Sequence, residues 1–123
     1  MSDQRTSKRV LVVEDEPLLA MEVVEYLSEA GYQVVGPVTT VEKALRLIRE
    51  RGCDVAVLDV HLGTEHSEPV ALALKAQGTP FVVVSGNSQE HYPTGFRGAP
   101  SLQKPIMPAT LLTLVRTCTE AIE

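Results

Sequence analysis

Three short runs of consecutive apolar residues recur along the chain, and each ends in polar groups. Val10-Leu11-Val12-Val13 leads into Glu14-Asp15-Glu16, Val55-Ala56-Val57-Leu58 into Asp59, and Phe81-Val82-Val83-Val84 into Ser85-Gly86-Asn87. Runs of this length without alternation suit strands covered on both faces, as in a parallel α/β sheet. Weaker strands are read at residues 32–35, closed by Gly36-Pro37, and at residues 101–103, ahead of Lys104-Pro105. Between the strands the apolar period lengthens to that of a helix. Glu14-Asp15-Glu16-Pro17 opens the first helix, with acids set against its dipole, an apolar face that includes Leu18, Met21, Val23 and Leu27, and Gly31 as a stop. Thr39 and Glu42 have capping-box spacing for a second helix that ends near Arg51. Ser67 caps a short third helix with Pro69 in its first turn and an end near Gln77 and Gly78. Pro108 opens the last, with Leu111, Leu112, Leu114, Val115, Cys118 and Ile122 as its apolar set. Residues 85–100 carry Pro93, Pro100 and glycines at 86, 95 and 98, so at most one short helical turn is expected there.

Strands alternating with helices predict an α/β fold, a doubly wound five-stranded parallel sheet in the flavodoxin-like order 2-1-3-4-5, with the helix between strands 4 and 5 short or absent. That order sets strands one, three and four side by side, and ligands bind beyond the carboxyl ends of such strands. Glu14, Asp15 and Asp59 then form a carboxylate cluster. Like charges so close must protonate or bind a cation, and a hard divalent ion that keeps several waters describes Mg²⁺. Taken alone, residues 14–16 are equally well a favourable acidic helix start; the matched position of Asp59 favours the cluster. Lys104, where a fifth strand ends, brings a compact positive charge suited to phosphate, and Ser85 adds a hydroxyl with Gly86 leaving room beside it. In isolation these two would be a solvated loop lysine and a turn serine. Together, carboxylate, metal, ammonium and hydroxyl suit transfer of a phosphoryl group onto Asp59, which is already ionised and needs no general base.

At 123 residues the chain fits one domain, read as a polar leader at residues 1–8 and a folded unit at residues 9–123. With no Trp, two Phe and three Tyr, the core must be aliphatic. A net charge of −5 argues against a surface that tracks nucleic-acid phosphates, so no DNA partner is expected. Cys53 and Cys118 have neither metal-ligand spacing nor a disulfide framework around them, and read as small buried or half-buried thiols. No apolar run suggests a spanning helix or a signal-peptide core, so a cytoplasmic protein without membrane contact is expected.

Val-Leu-Val-Val-Glu-Asp-Glu at 10–16, Val-Ala-Val-Leu-Asp at 55–59, Ser-Gly at 85–86 and Gln-Lys-Pro at 103–105 together resemble the receiver domain of two-component response regulators, from about Lys8 to the end of the chain. The resemblance implies that Glu14 and Asp15 hold Mg²⁺ with Asp59 and the backbone carbonyl of His61. It implies that Asp59 accepts phosphate from a sensor histidine kinase or a histidine phosphotransfer protein, with Ser85 and Lys104 contacting the phosphoryl group. Asp-Val-His-Leu-Gly at 59–63, Glu-Pro-Val-Ala-Leu-Ala-Leu at 68–74, Thr-Pro-Phe-Val-Val-Val-Ser-Gly at 79–86 and Pro-Ser-Leu-Gln-Lys-Pro at 100–105 are similar to a branch of stand-alone receivers. That branch typically carries Phe-Ala-Thr-Gly-aromatic on its fourth strand, where this chain reads Val-Val-Ser-Gly-Asn. Ser101 stands three residues before the lysine, where many receivers carry a switch Tyr or Phe, so the usual coupling to an aromatic flip cannot operate there.

No output domain is expected after the last helix. The protein is therefore expected to signal by binding an unknown downstream protein, or to act as a phosphate shuttle or sink. A Mg²⁺-dependent phosphohydrolase of the haloacid dehalogenase type is a remote alternative, because that family expects a second Asp where His61 stands. A receiver fold turned pure scaffold is a third reading. Phosphorylation is expected to order the loop at residues 86–100, whose composition offers few packing anchors, while His61 and Asn87 flank the phosphoryl position and tune the access of water.

Overall fold

Alternation of side chains across buried strands requires a hydrophobic layer on each face, and the structure supplies both. It is a computed structural model that describes residues 7–86 and 94–120. In chain order its elements are β1 (Arg9–Val13), α1 (Pro17–Glu29), β2 (Gln33–Val38), α2 (Val41–Glu50), β3 (Val55–Asp59), β4 (His61–Leu62), β5 (Glu65–His66), α3 (Glu68–Ala76), β6 (Phe81–Ser85), a 3₁₀ turn (Thr94–Phe96), β7 (Ser101–Gln103) and α4 (Pro108–Glu120). The main sheet has the order β2-β1-β3-β6-β7 with every pairing parallel. With the small β4–β5 hairpin set aside, this is the expected 2-1-3-4-5 order.

Leu11, Val13, Ala56, Leu58 and Val83 point to one face of the sheet and pack with Ala44 and Ile48 of α2 and Val70, Ala71 and Leu74 of α3. Val10, Val12, Val55, Val57 and Val84 point to the other, against Val23 and Leu27 of α1 and Leu111, Val115 and Cys118 of α4. The aliphatic core is therefore two layers divided by the sheet, as the doubly wound pattern requires. Cys118 is buried and Cys53 half-buried, both as free thiols. Burial pushes the Cys53 thiol up to about 11, away from reactive thiolate character.

Several boundaries differ from the sequence reading for identifiable reasons. The second strand continues through Gly36 and Pro37 to Val38, because β2 is an edge strand, where a missing N–H is tolerated, and a register shift opposite Leu11 and Val13 absorbs the irregularity. Gly36 sits at φ +93°, and a Cβ there would lie 3.0 Å from the Val38 nitrogen and 3.1 Å from the Val12 oxygen, so glycine alone fits. The second helix is capped by Thr40, not Thr39: its side chain accepts from the Lys43 N–H at 3.2 Å. The acids at 14–16 precede α1 rather than forming its first turn. Leu18 and Met21, read as part of a broad inward face, are 77% and 66% exposed.

The 94–100 end of the loop before β7 is anchored more firmly than its composition suggested. Phe96 is among the largest fully buried side chains and packs into the layer under α3. The Gly95 N–H donates to Glu68 Oε2 at 3.0 Å, and a Cβ at Gly95 would meet Glu68 Cγ at 2.6 Å. The expectation of few anchors is thus corrected for this end; residues 87–93, Asn87 included, lie outside the described residues. Ile122 of the last helix does too. Among the described residues, no helix is long and apolar enough to cross a membrane.

Candidate functional site

Strand register alone levels the polar ends. Val13 pairs with Leu58, so Glu14 comes level with Asp59; Asp59 pairs with Val84, which puts Ser85 one step beyond; Ser85 pairs with Gln103, which puts Lys104 next. Glu14 continues the alternation of Val10 and Val12, and Asp59 that of Val55 and Val57, so both carboxylates leave the sheet toward the α1/α4 side. The extension of β2 helps to fix them, since the Glu14 N–H donates to the Val38 carbonyl at 3.0 Å.

The resulting cluster is compact. One carboxylate oxygen from each of Glu14, Asp15 and Asp59 lies within 4.8 Å of the others. Asp59 is only 3% exposed. Its Oδ2 accepts from Lys104 Nζ at 2.9 Å, and its Oδ1 accepts from the His61 backbone N–H at 3.1 Å. Glu14 is also buried, and its Oε2 accepts from the Glu16 N–H at 3.0 Å. Asp15 Oδ2 accepts from the Gly63 N–H at 2.7 Å. Lys104 lies 3.6 Å from the exposed Glu16 carboxylate as well, and its own N–H donates to the Ser85 carbonyl at 2.9 Å. Ser85 is buried beside it.

The electrostatics follow from this crowding. Burial, reinforced by the hydrogen bond and charge of Asp59, raises the Glu14 carboxyl to about 8. Burial pulls the Lys104 ammonium down, yet the Asp59 hydrogen bond and the charges of Asp59, Glu14 and Glu16 outweigh it and leave the pKa raised. The site is thus a compressed set of hard oxygen donors with a single ammonium against it. A small divalent cation fits such a set, because it would replace the proton that Glu14 otherwise retains.

Of the residues singled out in the sequence, Glu14, Asp15, Asp59 and Lys104 come together, and Ser85 lies at the adjoining strand end. The His61 side chain is exposed while its N–H is turned to Asp59. Other participants went unread. Residues 61–66 form a two-stranded antiparallel hairpin, with Gly63 at φ +62° in its tight turn. Ser67 does not cap α3 through its side chain; its hydroxyl donates to the Asp59 carbonyl at 2.5 Å and its N–H to the Val60 carbonyl at 2.9 Å, which closes the hairpin onto β3. The Gly63-Thr64 pair between Leu62 and Glu65 was the available signal for the hairpin. Nothing local announces the Ser67 contact.

Comparison with known proteins agrees with this geometry. The family model for the response regulator receiver domain matches residues 10–116. The solution structure of SdrG from Sphingomonas melonis Fr1 is 39% identical, covers 96% of this chain and 98% of that one, and superposes with a TM-score of 0.80. The response regulator receiver domain (CheY-like) from Methylobacillus flagellatus is 25% identical, with 92% and 99% coverage and a TM-score of 0.81. The transcriptional regulatory protein PdtaR of Mycobacterium tuberculosis is 27% identical over 115 residues, which are 93% of this chain and 56% of that protein. The chain spans little more than half the length of that relative.

Proposed function

Because the chain belongs to the response regulator receiver domain family, we propose that it accepts a phosphoryl group on the Asp59 carboxylate and passes on a signal in that state. The observation that carries this reading is the pairing of a buried Asp59 oxygen with Lys104 Nζ at 2.9 Å beside two further carboxylates. In the proposed reaction an Asp59 oxygen forms the new O–P bond as the P–N bond to a donor imidazole breaks, and the imidazole nitrogen keeps the bonding pair. Glu14, Asp15, Asp59 and the His61 carbonyl would hold Mg²⁺. When bound, the ion neutralises charge that builds on the carboxylates and the phosphoryl oxygens. The Lys104 ammonium, tied to Asp59 in the resting site, transfers its hydrogen bonding to the incoming phosphoryl oxygens. The Ser85 hydroxyl, one residue beyond the paired Val84, donates to another of them. The β4–β5 hairpin holds the His61 backbone against Asp59, so that the carbonyl and the nucleophile are set by one piece of chain.

The phosphodonor is a sensor histidine kinase or a histidine phosphotransfer protein in the cytoplasm, and the receiver of the signal is another protein rather than DNA or a membrane. A second reading, a phosphate shuttle or sink, draws on Ser101, which is small and exposed where a switch aromatic would couple the site to the surface. Phosphotransfer from purified histidine kinases to the wild type and to Asp59→Ala, followed by partner pull-downs in both phosphorylation states, separates the two. A switch gains or loses a partner other than the donor on phosphorylation, and a sink does not. Transfer to Asp59→Ala as efficient as to the wild type would refute both.

A further inference from the structure

The β4–β5 hairpin carries a second constellation, built from the imidazole rings of His61 and His66 rather than from the His61 backbone that faces Asp59. His61 and His66 are directly opposite each other across the antiparallel pair, one position out from the Leu62–Glu65 pair that flanks the tight turn. Side chains alternate between the faces of a strand, so the imidazoles share the face away from buried Leu62. Their ring centroids are 4.7 Å apart in an edge-on arrangement, and both residues are exposed. The backbone that presents them is fixed on several sides: the His61 N–H on Asp59, the Gly63 N–H on Asp15, the Glu65 carboxylate accepting from the Val41 N–H at 3.3 Å, and the Ser67 N–H on the Val60 carbonyl.

We propose that His61 and His66 form a binding site for a borderline divalent metal ion, with Zn²⁺ as its reference ligand, on the outer face of the hairpin and separate from the carboxylate cluster. The donor chemistry divides the two sites. Imidazole nitrogen suits Zn²⁺, Ni²⁺ and Cu²⁺, whereas the all-oxygen set of Glu14, Asp15 and Asp59 suits Mg²⁺. Two imidazoles already side by side on a tied hairpin give up little freedom on chelation, and water completes the coordination shell. The acidic surroundings favour any cation: the chain carries −5, and the carboxylates of Asp59 and Asp15 hold the His61 and Gly63 amides of the hairpin. Occupancy bridges β4 to β5 and so restrains the strand whose first residue lies two positions after Asp59.

The test is a titration of the full chain with ZnCl₂ at saturating Mg²⁺, without any phosphodonor, followed by calorimetry and by proton–nitrogen correlation spectra of the imidazoles. The His61 and His66 ring resonances should shift together and saturate at one equivalent, with slower exchange of the Gly63 amide. His61→Gln and His66→Gln should each weaken binding by about tenfold or more, while Asp59→Asn, which alters the carboxylate cluster, should retain it. The amide dispersion of His66→Gln is recorded to confirm its fold. Undiminished binding in a folded His66→Gln protein, or zinc uptake that leaves both rings unshifted and disappears in Asp59→Asn, would overturn the site. Since no phosphoryl transfer enters the measurement, its failure leaves the phosphoacceptor reading intact.

Discussion

Lys104 Nζ is the one cation recorded within hydrogen-bonding distance of Asp59 among the described residues, so its loss leaves a nearly buried charge facing Glu14 and Asp15. Lys104→Met should lower stability by about 1–3 kcal/mol, the range for leaving a buried acceptor without its partner. Urea unfolding in EDTA measures this, and Mg²⁺ should recover part of the loss by supplying the missing positive charge. Glu14 makes the reverse case. Its folded pKa, about 8, lies above its ordinary value of 4.5, so the folded state retains a proton that the unfolded chain releases. That contribution is complete below the unfolded value and is lost as pH rises toward about 8. In EDTA, the stability of the wild type relative to Glu14→Gln should therefore fall between these limits, and Mg²⁺ should flatten the difference. At this scale the sequence was informative wherever a functional group ends an apolar strand, as Asp59, Glu14 and Lys104 do. It was silent on Ser67, whose hydroxyl reaches a backbone carbonyl eight residues back. Ser67→Ala should cost about 1 kcal/mol and speed amide exchange at His61, as hydrogen-exchange measurements can check.

Among the described residues between β6 and β7 the chain forms a 3₁₀ turn, which buried Phe96 anchors together with the bond from Gly95 to Glu68. Phe96→Ala should cost about 3–5 kcal/mol, as for other buried aromatics, read from the urea midpoint; a loss below about 1 kcal/mol would show that the 94–100 segment is not held by this side chain. The proline and glycine content of residues 85–100 argued against a regular helix, and the described end of the segment holds a 3₁₀ turn, but local composition does not reveal that Phe96 packs into the layer under α3. The same limit explains β2 and the hairpin. Gly36-Pro37 reads as a stop, and only its place on a sheet edge lets the strand continue; residues 61–66 are mostly polar around one glycine, and the bonds of Gly63 to Asp15 and Ser67 to β3 give them a fixed shape.

For the molecule as a whole, the parallel order β2-β1-β3-β6-β7 brings residues far apart in the chain to one edge, because it aligns the carboxyl ends of β1, β3, β6 and β7. This much was legible, since buried parallel strands announce themselves as unbroken apolar runs, and strands alternating with helices fit the flavodoxin-like doubly wound order. Two layers of aliphatic side chains hold the edge rigid, so acids from β1 and β3 can be kept close despite their repulsion. The most direct test of the account is peptide mapping by mass spectrometry after incubation with a small-molecule phosphodonor, in Mg²⁺ and in EDTA. The account predicts one phosphoryl group on Asp59 in Mg²⁺, little or none in EDTA, and none on Asp59→Ala. Label on another residue, or equal label on Asp59 with the metal removed, would contradict it.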